Sequence, residues 1–170
     1  LSVSTYQAYN NWGGKSLYEW NSKGGKASKV SFNRPYALGW NPESARGVGA
    51  GELITNLQPD DETKPAAWEI NMVRFLEREG YDVSYSTNLD THEQGANLEL
   101  HQAFLSVGHD EYWSRGMRDT VEAFIARGGN AAFFSGNTSL WQVRIEGDDH
   151  DVVVGYKSFF KNDPCFGTDR

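Results

Sequence analysis

One cysteine in 170 residues, Cys165, excludes an internal disulfide and closes the route to a cysteine nucleophile at a strand-to-helix turn. It fits a reducing, cytoplasmic setting. Basic residues are few: 16 Lys and Arg against 23 Asp and Glu leave a formal charge of -7, so no nucleic-acid partner is expected. No apolar run is long enough to span a bilayer and no signal peptide opens the chain, so no membrane association is expected. The histidines, His92, His101, His109 and His150, are scattered without a His-x-x-x-His pair, which is poor material for zinc. Ser135 lacks the Gly-x-Ser-x-Gly elbow that a serine nucleophile needs.

Aromatics, in contrast, are abundant, with six Trp and eight Tyr. Packing accounts for most of them, Trp12, Trp113 and Trp141 included; an aromatic-lined pocket is the sharper alternative. The length suits one α/β domain, residues 1–170, which reads as a piece of a larger catalytic subunit.

Along the chain, β-branched and aromatic residues in 1–9 predict a first strand. Residues 10–64 are rich in Gly, Asn, Ser and Lys and form a long irregular insertion, with a short strand at 29–32. Pro65 then opens a helix whose inward face is Trp68, Met72, Phe75 and Leu76, stopped by Gly80. Residues 81–87 predict a strand and 89–100 a partly helical crossover. Residues 103–107 predict a third strand, and 114–127 a helix turning Met117, Val121, Phe124 and Ile125 inward. A fourth strand spans 131–134, and 143–145 with 152–156 form a further pair around the acidic, solvated turn 146–151. This alternation is that of a mainly parallel sheet with flanking helices. It predicts that Tyr9, residues 88–90, 109–111 and 135–137 share one rim at the carboxyl ends of four strands, where ligands bind in such sheets.

The chemistry concentrates in Ser106-Val107-Gly108-His109-Asp110-Glu111-Tyr112-Trp113, where a buried strand gives way to a helix. His109 and Glu111, two residues apart, project from the same face of an extended segment. Asp110 is better explained as a helix N-cap than as a catalyst. The residues alone leave two readings open: an oxygen-rich metal site at Glu111 with tyrosine partners, or a metal-free Glu/His pair.

Several motifs go further. Tyr6-Gln7-Ala8-Tyr9-Asn10-Asn11-Trp12-Gly13-Gly14-Lys15-Ser16-Leu17-Tyr18, Val30-Ser31-Phe32-Asn33-Arg34-Pro35-Tyr36, the stretch 104–114, and Phe134-Ser135-Gly136-Asn137-Thr138 with Trp141-Gln142-Val143-Arg144 occur in this order. Together they resemble the catalytic domain of the N,N-dimethylformamidase large (beta) subunit family. The resemblance implies an amidotransferase-like, flavodoxin-like α/β fold and hydrolysis of small N-substituted formamides to amine and formate. It implies a mononuclear non-haem iron (Fe3+) held by Tyr9, Tyr36 and Glu111, with Tyr18 as the substitute for Tyr36. It also implies catalytic roles for His109, in proton transfer or in holding Glu111, and for Asn137, in orienting substrate or water. A small partner subunit and a homo-oligomer are implied as well. Two other functions fit the same residues: a non-catalytic binding or assembly module, and a metal-dependent C–N hydrolase of another substrate.

Overall fold

In the computed structural model the described residues are 4–10, 18, 24–33, 58–61, 64–66, 69–93 and 95–168. They form a mixed α/β structure. Its first element is a short helix, α1 (Thr5–Asn10), where a strand was predicted. The reason is a helical period: Thr5, Ala8 and Tyr9, at i, i+3 and i+4, are all completely buried. Tertiary burial of that face outweighs the β preference of its residues.

Strand β1 (Lys29–Ser31) lies within the predicted insertion, as does β2 (Gln58–Asp61); β3 (Lys64–Ala66) follows at its end. Pro65 therefore sits in a strand, and the helix expected from it, α2 (Glu69–Arg78), begins four residues later. Phe75 remains 43% exposed, so the apolar face of α2 is only partly covered. Residues 81–87 form no strand. Their tyrosines meet α2 at the surface: Tyr81 lies against Phe75 at 6.2 Å between ring centroids, and the Tyr85 hydroxyl donates to Glu77 Oε1 at 3.0 Å. The crossover consists of α3 (Asn88–Glu93) and a 3-10 turn, Gly95–Leu100.

Strands β4 (Ala103–His109) and β6 (Asn130–Gly136) run parallel in unbroken register, from Ala103 opposite Asn130 to His109 opposite Gly136. Between them come β5 (Tyr112–Ser114) and helix α4 (Arg115–Ala126). Ser114 caps α4 by accepting the Met117 amide on its hydroxyl. Met117, Val121 and Phe124 face inward as the spacing predicts, whereas Ile125 is 45% exposed. Strands β7 (Trp141–Glu146) and β8 (Val152–Val154) form the predicted pair.

The largest sheet has the order β1-β8-β7-β5. It is mixed: β1/β8 and β7/β8 are antiparallel, and only β5/β7 is parallel. The parallel character expected of the whole sheet is thus confined to β4/β6 and β5/β7. A hydrophobic cluster of Tyr9, Tyr18, Val30, Tyr112, Val143 and Val153 fastens α1 to the mixed sheet. No described helix is long and apolar enough to cross a membrane.

Candidate functional site

The parallel pair β4/β6 ends with His109 opposite Gly136, and both strands then turn sharply. Gly108, at φ +95°, starts the first turn; Asn137, at φ +50°, starts the second. The turns are stitched together. Asp110 N donates to Ser135 Oγ at 2.9 Å, Ser139 N to the Asp110 carbonyl at 2.9 Å, and Trp141 N to the Glu111 carbonyl at 2.9 Å. The His109 ring lies against Gly136, where a Cβ would come within 3.0 Å of Nδ1; a larger residue there would displace the imidazole.

His109 Nε2 lies 3.2 Å from Glu111 Oε2 and 3.3 Å from Asn137 Nδ2. The imidazole therefore has two states of its own making. Carrying a proton on Nε2, it donates to Glu111; without it, Nε2 accepts from the Asn137 amide. Glu111 is 8% exposed, and its other oxygen accepts from Trp141 Nε1 at 2.9 Å. His109, Glu111 and Asn137 are thus brought together as the motifs imply.

Two residues of this neighbourhood were not expected to act at the site: Trp141, read as packing, and Lys157, which lies in no motif. Trp141 holds Glu111 directly. Lys157, following β8, places its ammonium over the rings of Tyr18 at 4.9 Å, Tyr112 at 5.2 Å and Trp141 at 5.7 Å, and donates to the Tyr112 hydroxyl at 2.9 Å. Such cation–π contacts are worth about 0.5–2 kcal/mol each depending on desolvation. They join β5, β7 and Tyr18, and only their joining makes the lysine visible.

The tyrosines are placed differently from the carboxylate. Tyr9 is completely buried and stacks on Tyr112 at 4.9 Å. Its hydroxyl lies 3.0 Å from the Ser28 carbonyl oxygen and 3.4 Å from those of Val153 and Gly155. Burial above all, then the neighbouring Tyr112, pushes its pKa well above the usual phenol value. Tyr18 donates to the Tyr156 carbonyl and meets Ser158 Oγ, both at 3.0 Å. Tyr36 lies outside the described residues.

The donor set can be tested for metal on these terms. Glu111 suits a hard cation: an anionic oxygen pair, largely shielded, oriented by an indole and an imidazole. Tyr9, a phenol holding its proton toward carbonyl oxygens, is not arranged here as a phenolate donor. Among the described residues, no group of three or more His, Cys, Asp or Glu could hold a metal ion.

Asp110 does not cap α4, because the helix starts after β5 and Ser114 fills that role. Its carboxylate turns inward, accepting from Asn88 Nδ2 at 3.1 Å and from Ser106 Oγ at 2.8 Å. Behind the turn lies Glu69 of α2, whose Oε1 is 2.7 Å from where a Gly108 Cβ would be. Glu69 Oε2 is buried without a hydrogen-bond partner among the described residues. Burial first, then the Asp110 charge, raises its pKa above the ordinary glutamate value.

Comparison with known proteins finds two curated relatives and one family model. The beta subunit of N,N-dimethylformamidase from Paracoccus aminophilus is 26% identical over 133 residues, which is 78% of this chain and 16% of that protein. The corresponding subunit from an Alcaligenes species is 25% identical over the same share of both. The chain therefore spans about a sixth of the length of these relatives. Residues 1–169 match one family model throughout, and the chain belongs to the family described as N,N-dimethylformamidase beta subunit-like, C-terminal.

Proposed function

We propose that this chain carries the catalytic turn of an amide hydrolase that cleaves small N-substituted formamides to amine and formate. The observation that carries the reading is the His109–Glu111–Asn137 constellation at the carboxyl end of a parallel strand pair. The named activity of its relatives supports the substrate class. An amidotransferase-like architecture belongs to the same reading, supported by β4 and β6 flanking helix α4.

Hydrolysis adds water to the formyl carbon, breaks the C–N bond and returns a proton to the leaving amine. His109 is the group suited to carry that proton, since Nε2 has a partner in either state: Glu111 when protonated, Asn137 when not. Glu111, held by Trp141, fixes the ring's direction, and Asn137 orients the substrate or the attacking water. Iron is the metal-dependent half of the proposal, with Glu111 as the ligand whose surroundings fit and Tyr36 as a partner the resemblance implies; Tyr9, the other implied partner, would first have to release its hydroxyl from the Ser28, Val153 and Gly155 carbonyls. Bound there, it would supply Lewis-acid polarisation of the formyl oxygen. A second subunit, a homo-oligomer and a cytoplasmic setting complete the reading.

The test is formate release from N,N-dimethylformamide by the purified protein, with metal analysis and a visible spectrum. Ferric tyrosinate gives a coloured charge-transfer band, so iron-free, colourless protein produced with iron supplied would overturn the metal assignment. Glu111→Gln is expected to lower turnover by about 100-fold or more, the cost of losing a buried charged partner of His109. Unchanged turnover would make Glu111 a structural residue.

A further inference from the structure

The residues of the site are distributed over segments far apart in sequence, and one hydrogen-bonded chain links two of them. Helix α1, which carries Tyr9, has its first amide on a distant acceptor: Thr5 N donates to Asn88 Oδ1 at 3.0 Å, and Thr5 Oγ1, whose proton goes to the shorter contact with the Tyr112 carbonyl, lies 3.0 Å from the same oxygen. Asn88, 83 residues away, thus performs from a distance the capping usually done by the residue preceding a helix. Its Nδ2 donates to Asp110 Oδ1 at 3.1 Å, and Asp110 stands between His109 and Glu111. Thr5 Oγ1 also reaches the Tyr112 carbonyl at 2.6 Å, closing the loop onto the residue after Glu111. Thr5 is completely buried and Asn88 half-buried, so water does not readily substitute for these partners.

We propose that Asn88 and Asp110 are a positioning pair that clamps the Tyr9 helix onto the His109–Glu111 turn. Neither residue reaches substrate in this role. Asn88 sets where α1 begins, and Asp110 fixes Asn88 so that its oxygen, not its nitrogen, faces Thr5. Both Asp110 oxygens accept, Oδ1 from Asn88 Nδ2 and Oδ2 from Ser106 Oγ, so the Asn88 amide faces Asp110 with its nitrogen and Thr5 with its oxygen. The consequence for catalysis rests on the hydrolase reading above; the clamp itself does not.

The inventory of donors and acceptors predicts an asymmetric mutant cycle. Asn88→Asp keeps an oxygen for Thr5 but turns the other against the Asp110 carboxylate, so it breaks the clamp. Asp110→Asn alone is mild, since its amide oxygen still accepts from Asn88 and its nitrogen can donate to Ser106. Asp110→Asn in the Asn88→Asp background restores every bond: the new amide nitrogen donates to the carboxylate at position 88, and the amide oxygen accepts from Ser106.

Hydrogen exchange of the peptide spanning residues 4–10 reads the clamp, and kcat and KM on N,N-dimethylformamide read its consequence, both in the whole protein. The expected result is exchange at least tenfold faster in Asn88→Asp, with kcat lowered tenfold or more and the midpoint of global unfolding within a few degrees. Both should return to near wild type on adding Asp110→Asn. Unaltered exchange in Asn88→Asp, failure of the second substitution to restore it, or a loss of global stability as large as the local one would overturn the proposal. Wild-type protein inactive on the formamide would refute the hydrolase reading instead, and the exchange cycle would still decide the clamp.

Discussion

Gly108 is the position at which the site is most exposed to a single added carbon. Its φ of +95° is one that L side chains rarely adopt, and an alanine there would be strained by about 1–3 kcal/mol. Space adds a second cost. The new Cβ would lie 2.7 Å from Glu69 Oε1 and 3.0 Å from its carboxyl carbon, inside ordinary contact, and the carboxyl is confined by burial on its other side. Overpacking of that kind costs about 1–3 kcal/mol. Gly108→Ala is therefore expected to lose about 2–6 kcal/mol, a fall in Tm of roughly 4–24 °C for a chain of this size. Denaturant unfolding followed by circular dichroism measures it, and Glu69→Ala separates the two contributions. In the Glu69→Ala background the contact is gone and only the backbone strain remains, so the cost of Gly108→Ala should shrink by about 1 kcal/mol or more. Equal costs in both backgrounds would refute the contact, and a loss under about 1 kcal/mol would refute the strained conformation as well.

Two further outcomes follow from the same neighbourhood. Because the folded pKa of Glu69 lies above its unfolded value, its contribution is complete below the ordinary glutamate range and is lost as pH rises through the folded value. Glu69→Gln should therefore be more stable than wild type at neutral pH, by roughly 1–3 kcal/mol, and should lose that advantage below about pH 4; a difference in Tm that stays constant between about pH 4 and 8 would contradict it. Lys157→Met removes an ammonium shared by three rings and a hydrogen bond to Tyr112, and is expected to cost about 1–3 kcal/mol and to quench less of the tryptophan emission of Trp141, as read by fluorescence against Trp141→Phe. Unchanged stability and emission would place the lysine in solvent.

What the sequence makes legible is local. The strand before His109, the helix after Ser114 and the two-residue spacing of His109 and Glu111 are short-range patterns that the structure realises, but the strand is not the buried one expected: Ser106 alone is buried in it and Leu105 is 36% exposed. The failures share one cause. Residues 5–9 alternate well enough to pass for a strand, and the helical reading becomes better only when Thr5 is counted as a buried position. Thr5 is buried because Asn88 and the Tyr112 carbonyl satisfy it, and neither is near it in sequence. Residues 81–87 also alternate, yet a strand needs a partner, and no described strand pairs with them.

Asp110 shows how such an error propagates into function. An acid just ahead of an apolar helical run reads as an N-cap, and that reading makes it dispensable to the site. The intervening strand β5 moves the start of the helix to Arg115 and gives the cap to Ser114. Three residues of strand are invisible to a periodicity argument, but they free the Asp110 carboxylate to turn inward to Ser106 and Asn88. The same displacement puts Glu111 between β4 and β5, where its oxygens meet His109 and Trp141 in place of the amides of a helix terminus. A buried acid thus lies between an imidazole and an indole at the end of a parallel strand pair, and this placement comes from the β4–β5 connection itself.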